Sequence, residues 1–237
     1  MDATRVVIFG SLSGVLICAF GSPLRTQASA QNTPYPKMAP LGQYLMDRNA
    51  EITLARSAAP EAISRDATVL VLGRHGYEIA VSATGGFVCL VLRSWAASFD
   101  DPAFWNPKIR GPACYNPPAA RSVLPVIEKR TEMILAGLSK PQVFDGLNAA
   151  VEKKELEPPE PGSMSFMMSK NAYLTDAGDH NLAHLMFEVP PMAGAAWGAG
   201  LPHSPVLLLS SGGPDPMTEF AVPVGRWSDG SAAPLPH

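Results

Sequence analysis

The chain is poor in charge, cysteine and histidine, and each shortage narrows what it can do. Only 16% of the 237 residues are Asp, Glu, Lys or Arg, and the formal net charge is -3. Its longest basic runs are the pairs Lys129-Arg130 and Lys153-Lys154. A nucleic-acid footprint needs clustered basic residues, so that class of partner has no support. The short motifs of the common hydrolases are absent: there is no G-x-S-x-G, no H-E-x-x-H, and no S-x-x-K followed by its partner motifs. Gly73-Arg74-His75-Gly76 and Thr84-Gly85-Gly86 precede strand-like runs rather than helices. They fit neither the dinucleotide-binding fingerprint nor the phosphate-binding loop. Beyond the N-terminus no apolar run approaches the ~20 residues that a membrane span needs.

What is present is apolar and rich in proline. Apolar residues make up 46% and prolines number 24, a composition that excludes wholesale disorder and implies stiff connections. The length suits one domain with a substantial core. Arg5 precedes an apolar run over residues 6–20, interrupted by Gly10, Ser11, Ser13 and Gly14, and a polar stretch ends at Ala28-Ser29-Ala30. This is the pattern of a cleavable export signal over residues 1–30. A membrane anchor is the weaker alternative because the run is short and broken. Lipidation at Cys18 is disfavoured by the Ile17 before it. Removal of the signal leaves Cys89 and Cys114 of the 3 cysteines, and an exported chain with two cysteines pairs them. Their spacing is not C-x-x-C and Cys89 lies in an apolar strand, so a structural staple is favoured over a redox pair.

The patterning predicts an α+β fold with a mainly antiparallel sheet. Residues 31–40 read as an extended, loosely held leader, 41–227 as the domain and 228–237 as a loose tail. A helix is expected over 41–57, with Leu41, Tyr44, Leu45, Ile52 and Ala55 on its apolar face and Glu51 away from it. Strand-like runs at 67–72, 77–82 and 86–95, joined by glycine-bearing turns, predict an N-terminal antiparallel meander. Residues 99–118 read as a loop that cannot pair regularly. A central helical pair is expected over 119–138 and 141–154, the second capped by Ser139. Further strands are expected at 164–169, 182–189, 206–209 and 220–224.

Two candidate sites emerge. Trp95, Phe104, Trp105 and Tyr115 lie in or beside the 99–118 loop, which a Cys89–Cys114 bond would pin to the sheet. Such rings could stack a small ligand, or cap the sheet as a satellite core. The second group is Asp179, His180 and His184, with Asp176 and Glu188 near by. On a strand, His184, Met186 and Glu188 share a face, and His184 and Glu188 stand about 13 Å apart, too far to share one metal. Zinc would need His180, His184, an aspartate such as Asp179 and a ligand from elsewhere; exposed polar histidines are the plainer reading. His75 is a possible base and Ser210 a possible nucleophile, each without an evident partner. Met164, Met167, Met168 and Met186 fall at strand spacing, where core packing is the default over copper ligation.

The runs GFVCLVLRSW (86–95), FWNPKIRGPACYNPPAARS (104–122), KRTEMILAGLSK (129–140) and HLMFEVP (184–190) resemble those of uncharacterised exported bacterial proteins. The resemblance implies export and a single globular unit, and transfers no catalytic residue. The favoured expectation is an exported, non-catalytic binding module, periplasmic or extracellular, that holds a small molecule or envelope component through the aromatic loop, without a cofactor. A metal-dependent hydrolase around His180 and His184, and a structural envelope protein without a ligand pocket, are the alternatives.

Overall fold

The computed structural model describes residues 34–177 and 182–235. Residues 1–30, expected to be an export signal, and Cys18 within them therefore lie outside the described residues, as do Asp179 and His180. Among the described residues no helix is long and apolar enough to cross a membrane.

The fold is α+β: among the described residues there are eight strands in one sheet, mostly antiparallel, with five α-helices. β1 (Thr68–Leu72), β2 (Tyr77–Val81), β3 (Val88–Leu92) and β4 (Gly111–Tyr115) form one half. β5 (Met164–Met167), β6 (His184–Val189), β7 (Leu207–Ser211) and β8 (Thr218–Pro223) form the other, and the strand order is β2-β1-β3-β4-β5-β6-β8-β7.

The first three strands are not the expected meander. β1 and β2 make an antiparallel hairpin, but β3 lies on the far side of β1 and runs parallel to it. Burial explains the order. Cys89, Leu90 and Val91 of β3 are wholly buried and β1 is buried from Val69 to Leu72, whereas β2 exposes Glu78 and Ile79. A meander would have placed the half-polar β2 between two apolar neighbours; the observed order sends it to the edge. The chain crosses beneath β1 on Thr68, whose hydroxyl donates to the Ala83 carbonyl and accepts from the Ala83 amide. Gly85 donates to the Asp66 carbonyl so closely that a Cβ there would collide with that oxygen.

The 99–118 segment is also not wholly loop. Its last third is β4, buried along its whole length between β3 and β5. Pro112 is tolerated because amide nitrogens two residues apart point the same way along a strand. Its nitrogen therefore shares the side of Arg110, in the gap between the Arg110–Tyr173 bridge and the first β5 pair at Cys114. Cys89 and Cys114 are directly opposed across β3 and β4, with Cα atoms 4.0 Å apart, and are disulfide-bonded.

The helix expected over 41–57 starts late: a 3-10 turn at Leu41–Gln43 precedes α1 (Arg48–Arg56). Asp47 caps α1 by accepting from the Asn49 and Ala50 amides, so the helix begins where the cap is. Glu51, expected on the outer face, is 1% exposed. It accepts from the Arg93 Nη2 at 2.8 Å and the Leu72 amide at 3.1 Å. A four-residue α2 (Glu61–Ser64) leads into the sheet. The first central helix is divided into α3 (Pro117–Ser122) and α4 (Leu124–Leu135), with Pro125 in the first turn of α4. α5 (Lys140–Glu152) carries the Ser139 cap, reciprocated by Gln142.

Both faces of β1, β3 and β4 are covered. One carries Val69, Cys89, Val91 and Cys114 against Ala55, Ala58 and Ala59. The other carries Leu70, Leu90, Ala113 and Tyr115 in the main core, with Val126 and Ile134 of α4 and Val143 and Leu147 of α5. The leader and tail are tied down. The Tyr35 hydroxyl donates to Asp176, the Ser228 hydroxyl donates to the Ser57 carbonyl, and Lys170 pairs with Asp229.

Candidate functional site

The four expected ligand-binding aromatics do not form an exposed surface. Trp95 and Phe104 are 1% exposed, Tyr115 3% and Trp105 8%. A proline-bearing chain cannot satisfy its own backbone by regular pairing, so it is held by side chains from elsewhere, and its rings are spent on packing. Trp95 packs on Tyr44 at 4.9 Å between ring centres, and its indole donates to Thr131 of α4. Phe104 meets Trp105 edge to face at 4.6 Å, with the Lys140 ammonium 4.2 Å above the Phe104 ring. The Tyr44 hydroxyl donates to the Trp105 carbonyl. Of the four, Tyr115 alone lines the large cavity described next.

That cavity, about 310 Å³ in volume, lies between the turn that follows β3 and the sheet face that carries Tyr115. One wall is Ala96, Ala97, Asp101 and Ala103 from the turn and loop; α4 contributes Ile127. The floor is apolar where Leu92, Met167 and Met186 reach it, and polar at Ser165, Ser210 and Glu219. Met167 and Met186 thus line the cavity.

The polar floor follows from strand register. Tyr115 opposes Ser165, Glu188 opposes Glu219, and Glu219 opposes Ser210. Directly opposed residues share a face, so a polar stripe runs from β4 to β7. The Ser165 hydroxyl donates to Glu188 Oε1 at 2.7 Å, and the Ser210 hydroxyl to Glu219 Oε2 at 2.6 Å. Glu188 is 2% exposed, and its Oε2 has no hydrogen-bond partner. Burial pushes its carboxyl up to about 7, against the lowering effect of the Ser165 bond and with a further raise from Glu219. Glu219 is also raised, first by burial and then by Asp215, while Ser210 and Arg130 oppose the shift.

Arg130 fixes the rim. Its Nη1 donates to the Trp95 and Ala97 carbonyls at 3.0 Å each, and its Nη2 pairs with Asp215 in the turn before β8. The guanidinium therefore joins both chain segments that overhang Glu219. Asp215 keeps one buried oxygen, Oδ1, without a partner.

The second expected site is only partly described. His184 begins β6 and shares a face with Met186 and Glu188, as the strand pattern predicts. It is half-buried, its Nδ1 lies 2.6 Å from the Leu182 carbonyl, and burial lowers its pKa. Among the described residues no three His, Cys, Asp or Glu side chains are grouped so as to hold a metal ion. Asp176, from the same stretch, is instead a structural hub: it accepts from Tyr35, Tyr173, Asn106 and Lys108. His75 is exposed in the turn between β1 and β2. Ser210 meets Glu219 and no histidine.

Glu219 and Arg130 carried no signal in the sequence beyond their charge in apolar surroundings. The apolar run Phe220-Ala221-Val222 marks a strand, but not which residues register places beside it. No protein-family model, no curated protein and no solved structure matches the chain.

Proposed function

We propose that the protein is an exported, non-catalytic binding module that holds a small molecule in the cavity between the 94–103 segment and the sheet. The aromatic segment then serves as the packed wall of the site rather than as its contact surface. One observation carries this reading: an apolar cavity of about 310 Å³ with a few convergent polar groups, Ser165, Ser210 and Glu219, at one end. That is the make-up of small-molecule sites, at the lower end of their usual size. A purely structural envelope protein would need no such space. Export is supported by the N-terminal pattern and by the Cys89–Cys114 bond, which belongs to an oxidising compartment. The metal-hydrolase alternative rests on His180, His184 and Asp179, of which His184 is among the described residues.

The neutral fluorophore N-phenyl-1-naphthylamine tests the cavity. Its emission is expected to rise with the wild-type protein and to stay low with Ala97→Phe, which places a ring where a small side chain lines the space. Equal emission from both folded proteins would overturn the reading.

A further inference from the structure

The cavity has an unbalanced charge. Three charged side chains line it: Arg93, Asp101 and Glu219. Arg93 is fully engaged inward, donating to the Tyr44 carbonyl at 2.8 Å, the Val91 carbonyl at 2.5 Å and Glu51 at 2.8 Å. Arg130 is taken by Asp215 and three carbonyls of the turn. Lys140 donates to the Phe99 carbonyl and lies over Phe104. Among the described residues no cation bonds directly to Glu219; Arg130, paired with Asp215, acts on it only through space. Ser210 satisfies Oε2, while Oε1 accepts no hydrogen bond from the described residues. Its neighbour across the strands, Glu188, is nearly wholly buried and likewise keeps one oxygen unpartnered.

A carboxylate in apolar surroundings is costly unless a cation or donor meets it. Resting on the cavity reading above, we infer that the ligand is a small organic amine, bound as the ammonium: its charged head meets Glu219 Oε1 and its apolar body lies against Leu92, Ile127, Met167 and Met186. The geometry favours an ammonium over a neutral alcohol because the acceptor is a carboxyl group to which no cation is bonded among the described residues. It disfavours a carboxylate, which would meet Glu219 and Asp101 with like charge. A charge-assisted hydrogen bond in such a place corresponds to a preference of about tenfold or more over the neutral donor.

Displacement of N-phenyl-1-naphthylamine by three matched probes tests this: phenethylamine, 2-phenylethanol and 3-phenylpropionate. At pH 7.5 the amine is expected to displace the fluorophore at about one-tenth the concentration of the alcohol or lower, with the acid weakest. In Glu219→Gln, which keeps shape and the Ser210 bond, amine and alcohol become equal while the fluorophore still binds. A second readout needs no variant. As pH is lowered, the amine weakens as Glu219 takes up a proton, with Asp215, Glu188, Asp101, Tyr115 and Arg130 as the other titratable groups about it, and the alcohol does not. Equal displacement by amine and alcohol in the wild type, or a preference unchanged in Glu219→Gln, overturns the amine assignment and leaves the cavity reading standing. Absence of fluorophore binding overturns the cavity reading itself.

Discussion

Glu188 and Glu219 face each other across β6 and β8, and Glu188 holds its proton far above the ordinary carboxylate range. Its folded pKa of about 7 exceeds an unfolded value of about 4.3. The folded state therefore binds the proton more tightly, and the resulting stability is complete below the unfolded pKa and is lost as pH rises through 7. Thermal unfolding at pH 5 and pH 8 is expected to show a less stable protein at pH 8, by at most about 2.5 kcal/mol from this group. Glu188→Gln should flatten that slope; an unchanged slope would place its origin elsewhere. Glu51 and Arg93 present the opposite case, a directly joined buried pair with further bonds to the Leu72 amide and the Tyr44 carbonyl. Glu51→Ala leaves the guanidinium buried and unpaired, and is expected to cost about 3–5 kcal/mol in urea unfolding. Replacing both, Glu51→Leu with Arg93→Met, should recover much of that loss.

At the scale of elements, the disulfide joins opposed positions of two adjacent central strands, at a sequence separation of 25. The enclosed segment carries Trp95, Phe104 and Trp105, so the bond restrains in the unfolded chain the piece that closes over the cavity. Loop-closure entropy assigns it about 3.5 kcal/mol. Reduction with dithiothreitol should lower the unfolding midpoint accordingly, and Cys89→Ala with Cys114→Ala should unfold at the same reduced midpoint without reductant. β4 shows how an element escaped its sequence signal. Pro112 in GPACY argues against a strand, but it sits where one side has no continuous partner. Glu51 escaped for a related reason: helical periodicity assigns it outward, while the buried Arg93 that neutralises it comes from 42 residues away.

Across the whole molecule, cover is uneven. β1, β3 and β4 lie between two apolar layers. At the far edge Leu207, Leu208 and Leu209 of β7 are 39%, 43% and 51% exposed. Amide exchange is therefore expected to be slowest in β3 and β4 and markedly faster in β7, because local opening follows the burial and pairing that must be broken. Equal protection across the sheet would mean that it opens only as a unit.

Patterns of apolar spacing, caps and turn residues were enough to indicate an α+β chain with a mainly antiparallel sheet. The capped α5, the strands of the second half and the Cys89–Cys114 pairing were legible because each depends on neighbours in sequence or on a count of two. The order β2-β1-β3, the strand hidden after Arg110, the burial of the aromatics and the carboxylate beneath them were decided only in three dimensions. Strand order is set by which faces find cover, and a ring or a carboxylate is buried or free according to partners far along the chain. Local pattern records that a residue is apolar or charged; only the packed sheet determines what stands opposite it.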